Sequence, residues 1–371
     1  MAFLLKDSPE CAKSELNLFT LPPTQTVIER GQWIEFHPLA NVTDGSPVEF
    51  NVAGSGDDYL DLSQTQLYVK VKILKSNGAS EKMISNNTYP YRAMIEKLLN
   101  HGFDTKTSQL SSELYFKDTA GRMNVFDTTD KQPNEGFNKR AEIFKLSATV
   151  DMIGRLHLDM FHQERLLLNM VDMKIKLIRS KPEFCLLGEE NFKVSLEHVS
   201  LFVRKVRVSP GVILGHAKSL EKATAKYPIN RVLCKVYSIP SGNMSLSKIH
   251  NHINFIGIYV DGQPVPHNPL QPDFMNKTFI RAYQNLFTNA ENRGLYLSRS
   301  EYPEGYCLFL FDLSPDLCDG SHLNLVRHSN LRLEVKFGFP LPITTSVIVY
   351  AEFENLIEIN KSRNIIYDFG N

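Results

Sequence analysis

The chain reads as a mainly β protein made of two β-sandwiches in tandem, and three observations predict this. Long runs alternate apolar and polar residues with a period of two, as half-buried strands do. The 23 Phe and 14 Tyr against a single Trp suit a strand-rich fold. The same order of four elements occurs in each half of the chain.

The clearest alternation lies near the C-terminal end. Leu331, Leu333, Val335, Phe337 and Phe339 alternate with Arg332, Glu334, Lys336 and Gly338. Pro340-Leu341-Pro342 breaks the pattern, because proline cannot donate to a ladder. A second run places Val347, Val349, Ala351 and Phe353 on one side, with Asn355 interrupting it before Leu356-Ile357-Glu358-Ile359. Two strands with one apolar face each need a second sheet to cover that face.

In chain order, residues 1–20 form a polar arm without a clear period. Trp33–Phe36 and Val48–Val52 read as short strands around the turn Asp44-Gly45-Ser46-Pro47. Gly54-Ser55-Gly56-Asp57-Asp58 is a loop leading into a strand with Leu67, Val69, Val71 and Ile73 on one side. From Tyr91 to Leu99 the period becomes helical, with Met94, Ile95, Leu98 and Leu99 on one face and Gly102 as the stop. Residues 103–145 read as a long polar excursion, a kind of loop that is usually functional or exposed. Strands are expected at 155–158, 171–177, 192–196 and 201–208, a connector with a helix at 217–225, and strands again at 232–238 and 255–260. Asp261-Gly262 signals a hairpin, 279–287 a helix and 307–311 a strand.

The repeat aligns the helix carrying Arg92-Ala93 with the one carrying Arg281-Ala282. It also aligns the strand after Gly154 with that after Gly305, Val171–Leu177 with Leu331–Phe337, and 192–203 with 347–359. The resulting division is an arm 1–20, a first sandwich 21–208, a connector 209–228, a second sandwich 229–361 and a tail 362–371.

Composition narrows the function. With 371 residues the chain has room for two ordinary domains. Lys plus Arg (41) equals Asp plus Glu (41), which argues against a protein that grips nucleic acid mainly through phosphates. The five cysteines, Cys11, Cys185, Cys234, Cys307 and Cys318, form no CxxC pair, so neither a disulfide framework nor a zinc knuckle is indicated. The short apolar start, Met1 to Lys6, is no signal peptide, and no later run is long enough to span a bilayer. These features predict a reducing, intracellular setting.

No constellation carries an enzyme's chemistry. His250-Asn251-His252 with His267 would need further ligands to hold zinc, and a polar strand end explains it better. The loop Gly54–Asp58 resembles a phosphate loop but lacks the lysine and the following helix. Asp57, Asp58 and Asp61 fit no EF-hand spacing. There is no GxSxG and no HExxH. Arg204-Lys205-Val206-Arg207 reads as a solvated strand face. Catalytic, cofactor and metal residues are accordingly assigned as none.

Several strings taken together resemble a known family. They are Pro22-Pro23-Thr24-Gln25-Thr26, Gly54 to Leu62, Tyr89-Pro90-Tyr91-Arg92-Ala93, Tyr227-Pro228-Ile229, Tyr259-Val260-Asp261-Gly262, Gly305 to Leu313 and Tyr350 to Asn355. In collinear order they resemble the virus-like proteins of Polinton (Maverick) elements and adintoviruses. The resemblance implies a non-enzymatic, hexon-type major capsid protein of the virion. Two tandem jelly rolls would stand upright, and a homotrimer would form a pseudo-hexagonal capsomer. The implied partners are its own copies in the capsomer lattice and a minor capsid (penton) protein. The implied site of synthesis is the host cytoplasm or nucleus. The chain departs from the family between Leu74 and Met83, and between Ser247 and Asn254, where strand-forming sequence is missing. The alternatives are a minor capsid (penton) jelly roll and a host-adopted ligand-binding β-sandwich.

Overall fold

The computed structural model describes residues 13–19, 21–42, 46–75, 88–188, 192–240, 253–266, 268–288, 295–315, 317, 322–325, 328–341 and 344–367. Both departures from the family pattern fall largely outside these residues, as do Asp44-Gly45, His250-Asn251-His252 and His267.

In chain order the elements of the first half are β1 (Ile28–Phe36), β2 (Val48–Val52), β3 (Asp58–Lys75), α1 (Tyr89–Asn100), α2 (Phe103–Thr107) and α3 (Glu135–Ile143). They continue with β4 (Val150–Arg155), β5 (Met173–Leu177), α4 (Pro182–Cys185) and β6 (Phe192–Val208). Helix α5 (Pro210–Leu220) leads to β7 (Ala225–Ile239), β8 (Ile253–Val260), β9 (Gln263–Pro264) and α6 (Ile280–Thr288). The last strands are β10 (Leu331–Phe337), β11 (Thr345–Ile359) and β12 (Ile365–Tyr367). The fold is mainly β, with 37% strand and 20% helix.

Strand pairing is nested in both halves. In the first, β1 pairs with the last strand, β6, and β2 with the one before it, β5; the larger sheet runs β1-β6-β3-β4. In the second, β7 pairs with β11, the last strand but for the three-residue β12 on its other edge, and β8 pairs with β10, the strand before β11. All these pairs are antiparallel. First-with-last and second-with-penultimate pairing is the mark of a ribbon wrapped into a jelly roll. Its recurrence turns the sequence repeat into a structural duplication.

Alternation explains the main core. Phe50 and Val52 of β2, Leu201 and Val203 of β6, and Leu60 and Leu62 of β3 are buried in one cluster, each pair two residues apart on its strand. The second cluster centres on Leu286 and Tyr302, with Phe274, Phe279 and Phe337. Neither cluster belongs wholly to one half. Tyr227 and Ile359 complete the first, while Leu98, Leu99, Ala120 and Met123 pack on the second.

Several sequence expectations are corrected. Tyr227 and Pro228, placed in the connector, lie within β7, where Pro228 sits opposite Leu356. Asn355 does not interrupt β11, since it continues the register opposite Ile229. The connector's helix is Pro210–Leu220, because Pro210 suits a first helical turn. The strand expected at 155–158 lies instead at Val150–Arg155. Residues 307–311 are not in a strand; Tyr302 donates to the Leu308 carbonyl and Asn285 to that of Leu310. The hairpin at Asp261-Gly262 forms, with both residues at positive φ (50° and 84°), as a two-residue turn of this hand requires.

Gly54 marks a close approach of backbones. A Cβ there would lie 2.6 Å from the Val171 nitrogen and 2.7 Å from the Met170 carbonyl carbon. Gly54→Ala is therefore expected to cost roughly 1–3 kcal/mol of stability, the range for overpacking. Gly56→Ala, with open space around its Cβ, is expected to be neutral within about 0.5 kcal/mol. Urea denaturation of the two variants tests this, and equal midpoints would refute it.

Candidate functional site

The most concentrated polar chemistry lies where α1 meets both halves. Its buried residue is Glu96, whereas Met94, expected on the apolar face, is 57% exposed. The reason is that α1 packs one side on a polar junction and gives only Leu98 and Leu99 to the second core. One Glu96 oxygen accepts from Arg92 Nε at 2.6 Å and from the Tyr350 hydroxyl at 3.2 Å. The other faces His157 Nδ1 at 2.6 Å and His162 Nε2 at 3.2 Å. Arg92 also pairs with Asp159 at 2.6 Å, and that same Asp159 oxygen accepts from the Val232 backbone. One carboxylate thus joins α1, the 157–162 segment and strand β11.

Burial by itself would raise the pKa of Glu96. Hydrogen bonds from His157 and His162 and the charge of Arg92 outweigh it and hold the carboxyl well below the usual range. Burial lowers the pKa of His157, which Glu96 only partly offsets. Burial and then the charge of Glu352 raise that of Tyr350. Both oxygens of Glu96 are committed to protein partners, so the arrangement works as a polar staple.

A second junction corrects the reading of residues 103–145. Helices α2 and α3 lie inside this stretch, and its middle is clamped to the second half. Lys117 Nζ reaches Glu301 at 2.6 Å and the Tyr296 carbonyl at 3.1 Å, lying 4.1 Å from the Tyr296 ring centroid. Gly121 N donates to the Glu304 carbonyl at 2.6 Å, and the Tyr306 hydroxyl to that of Asp118 at 2.8 Å. Buried Asn134 caps α3 by accepting from Phe137 N and also accepts from Thr119 N. The polar residues that made the stretch look like a loop are spent on these contacts.

The charged candidates read from the sequence have structural partners. Arg204 pairs with Asp61 at 2.7 Å, and Arg207 with Asp58 at 3.2 Å and Asp57 at 3.5 Å. Arg204 and Arg207 of β6 therefore form cross-strand ion pairs with Asp61 and Asp58 of β3. Gly54 N donates to Asp172 at 2.9 Å, so the glycine loop is a turn anchored to the segment before β5.

Apolar surface remains open on the second half. On β10, Val335 and Phe337 join the core, but Leu331 and Leu333 are 47% and 39% exposed, contrary to the fully covered face expected. Leu233 and Tyr237 of β7 and Phe353 of β11 are also exposed. By register Leu233 lies opposite Ala351 and Tyr237 opposite Val347, so they share the face of β11 that carries Phe353. A groove of about 510 Å³ beside α6 is lined by Leu270, Ile280, Gln284 and Leu317 among others, with no aromatic side chain among the described residues that line it. No helix among the described residues is long and apolar enough to cross a membrane.

Sequence reasoning missed the Glu96 staple. Glu96, His157 and Tyr350 are far apart in the chain, and no spacing rule connects them.

No protein-family model matches the chain. An uncharacterised protein of Caenorhabditis elegans is 23% identical over 434 residues, covering 94% of this chain and 99% of that protein. Among solved structures, a chain from the cryo-EM structure of the Sputnik virophage is similar over 98% of this chain and 93% of its own, with 11% identity and a TM-score of 0.58. The mavirus major capsid protein is 12% identical, covering 99% and 97% of the two chains, with a TM-score of 0.46. The chain thus shares its fold, along nearly its whole length, with a chain from a virus particle.

Proposed function

We propose that this chain is the major capsid protein of a virus-like element, a double jelly-roll subunit of an icosahedral shell. The observation that carries the reading is the nested jelly-roll pairing present twice in one chain, in a fold shared end to end with a chain of the Sputnik virophage. The sequence resemblance to Polinton and adintovirus proteins points the same way. The proposed division is an arm 1–20, units 21–208 and 229–361, a connector 209–228 into which β7 reaches back, and a tail 362–371.

The mechanism is geometric. Two similar sandwiches in each of three copies give a threefold assembly six similar sides, so identical trimers can tile a shell. The polar staple and the clamp at Lys117 hold the two sandwiches of one copy together. The exposed apolar residues of β7, β10 and β11 supply surface for contacts between copies. The minor-capsid alternative has no need of the duplication. The ligand-binding alternative calls for an aromatic-lined pocket. The cavity between Tyr115, Tyr296 and Tyr306 holds only about 10 Å³, room for no more than a single water.

Light scattering after size exclusion tests the proposal. The expected result is a mass three times that of the chain. A well-folded monomer at micromolar concentration would overturn it.

A further inference from the structure

Glu35, His37 and His198 bring three metal-ligating atoms within 4.8 Å of one another on the solvent side of the first sandwich. Their placement follows from strand geometry. Glu35 is the penultimate residue of β1 and His37 follows two residues on, just past the strand's end, so both project from the same face. Strand β6 runs alongside with Phe36 opposite Leu201, which puts His198 on that face of the neighbouring strand.

These three side chains have few competing partners. Glu35 lies 3.8 Å from His198 Nε2, and the rings of His37 and His198 are 6.1 Å apart, edge to face. Among the described residues, neither ring nitrogen of His37 has a hydrogen bond. The Glu96 cluster is the contrast. There the carboxylate is saturated by Arg92, Tyr350 and two histidines, and a separation of 2.6 Å is that of a hydrogen bond. Ligands around tetrahedral zinc, with bonds of about 2.0–2.2 Å, lie roughly 3.3–3.5 Å apart. The 3.8 Å separation at Glu35 closes to that value with a small rotamer adjustment.

A second observation adjoins the site. Ser200, between His198 and Phe202 on β6 and opposite Tyr68, is 0% exposed, and its hydroxyl has no hydrogen-bond partner. The Tyr68 ring lies 5.9 Å from that of His198 and 6.3 Å from that of Phe202, forming an aromatic cover over this row. A buried hydroxyl without an acceptor is destabilising, and a coordinated carboxylate or water beside it would supply one.

We infer that Glu35, His37 and His198 form a binding site for a zinc-class divalent cation, with a fourth position open to water. Two imidazoles and one carboxylate suit a borderline metal. Because β1 pairs only with β6 among the described strands, the ion would cross-link an edge strand to its neighbour. Only native chains would present all three ligands together, so the ion would stabilise the fold.

The test uses the full chain, stripped of metal by a chelator and titrated calorimetrically with zinc chloride. The expected result is one saturable equivalent and a melting temperature that rises with zinc. Each of His37→Ala and His198→Ala should weaken binding by about tenfold or more, and the double variant should abolish it. Both rings are at the surface, so melts without metal should match the parent chain. Cobalt substitution should give visible absorption bands in the parent that the double variant lacks. Absence of saturable zinc uptake by the parent would overturn the assignment. So would uptake unchanged in the double variant, which would place the ion elsewhere.

Discussion

Glu96→Ala should lower the stability of the protein by about 3–5 kcal/mol, the range for removing one partner of a buried ion pair. The substitution leaves Arg92 with Asp159 alone and the Tyr350 hydroxyl with Glu352 alone, and it takes the acceptor from His157. Glu96→Gln keeps the side chain's volume and removes only its charge, so it should recover only part of the loss. Guanidinium denaturation gives the size, and a loss below about 1 kcal/mol would show that the junction is not a staple. The pH dependence gives the sign. The folded pKa of Glu96 is depressed, so its contribution is present above the ordinary carboxylate range, about 4.3, and is lost as pH falls through the folded value. The pKa of His157 is also depressed, so folding favours its neutral form, and that contribution fades as pH falls from about 6.5. Both act in the same direction. The parent protein should weaken on acidification, and Glu96→Ala should show a shallower fall below about pH 4.5.

Tyr302→Ala should cost about as much, 3–5 kcal/mol, for a different reason. Tyr302 is 0% exposed, stacks on Phe279 at 5.9 Å and meets Tyr283 edge to face at 5.4 Å. Its hydroxyl donates to the Leu308 carbonyl at 3.0 Å, and burial drives its pKa far up, so the group stays a donor at any working pH. Truncation opens a cavity at the centre of the second core. Tyr302→Phe keeps the ring and removes only the donor, for an expected cost of about 1 kcal/mol. Melting of both variants by calorimetry separates packing from hydrogen bonding, and equal losses would refute the division. Because Leu98, Leu99 and Met123 of the first half pack on this core, the variant should melt in one broadened or lowered transition that includes both halves.

Much of the fold was legible because strands leave a period of two. Val48–Val52 was found to the residue, and the alternations at 67–73, 331–337 and 347–353 all lie in observed strands. Ends were less legible. β3 begins at Asp58, well before its apolar alternation, because ion pairs of Asp58 and Asp61 with Arg207 and Arg204 extend the ladder through polar residues. The stretch 103–145 looked unstructured because its polar residues bind partners that only the folded chain supplies, such as Glu301 and Glu304. The cysteines also needed the structure. Cys307 reads as a free thiol, and burial, only partly offset by Tyr302, pushes it up to about 12.

Periodicity and the order of elements, taken by themselves, determined a β-rich chain built twice from one plan. Both properties are local, written in residues two or four positions apart. The tertiary structure alone decided that the two units share their cores, with Tyr227 and Ile359 in the first and Leu98 and Leu99 in the second. It alone brought Glu96 to Tyr350, and His37 to His198, across long separations in the chain. No sequence spacing encodes such contacts, because they arise only when the ribbon has wrapped and its buried charges have found the partners that make burial tolerable.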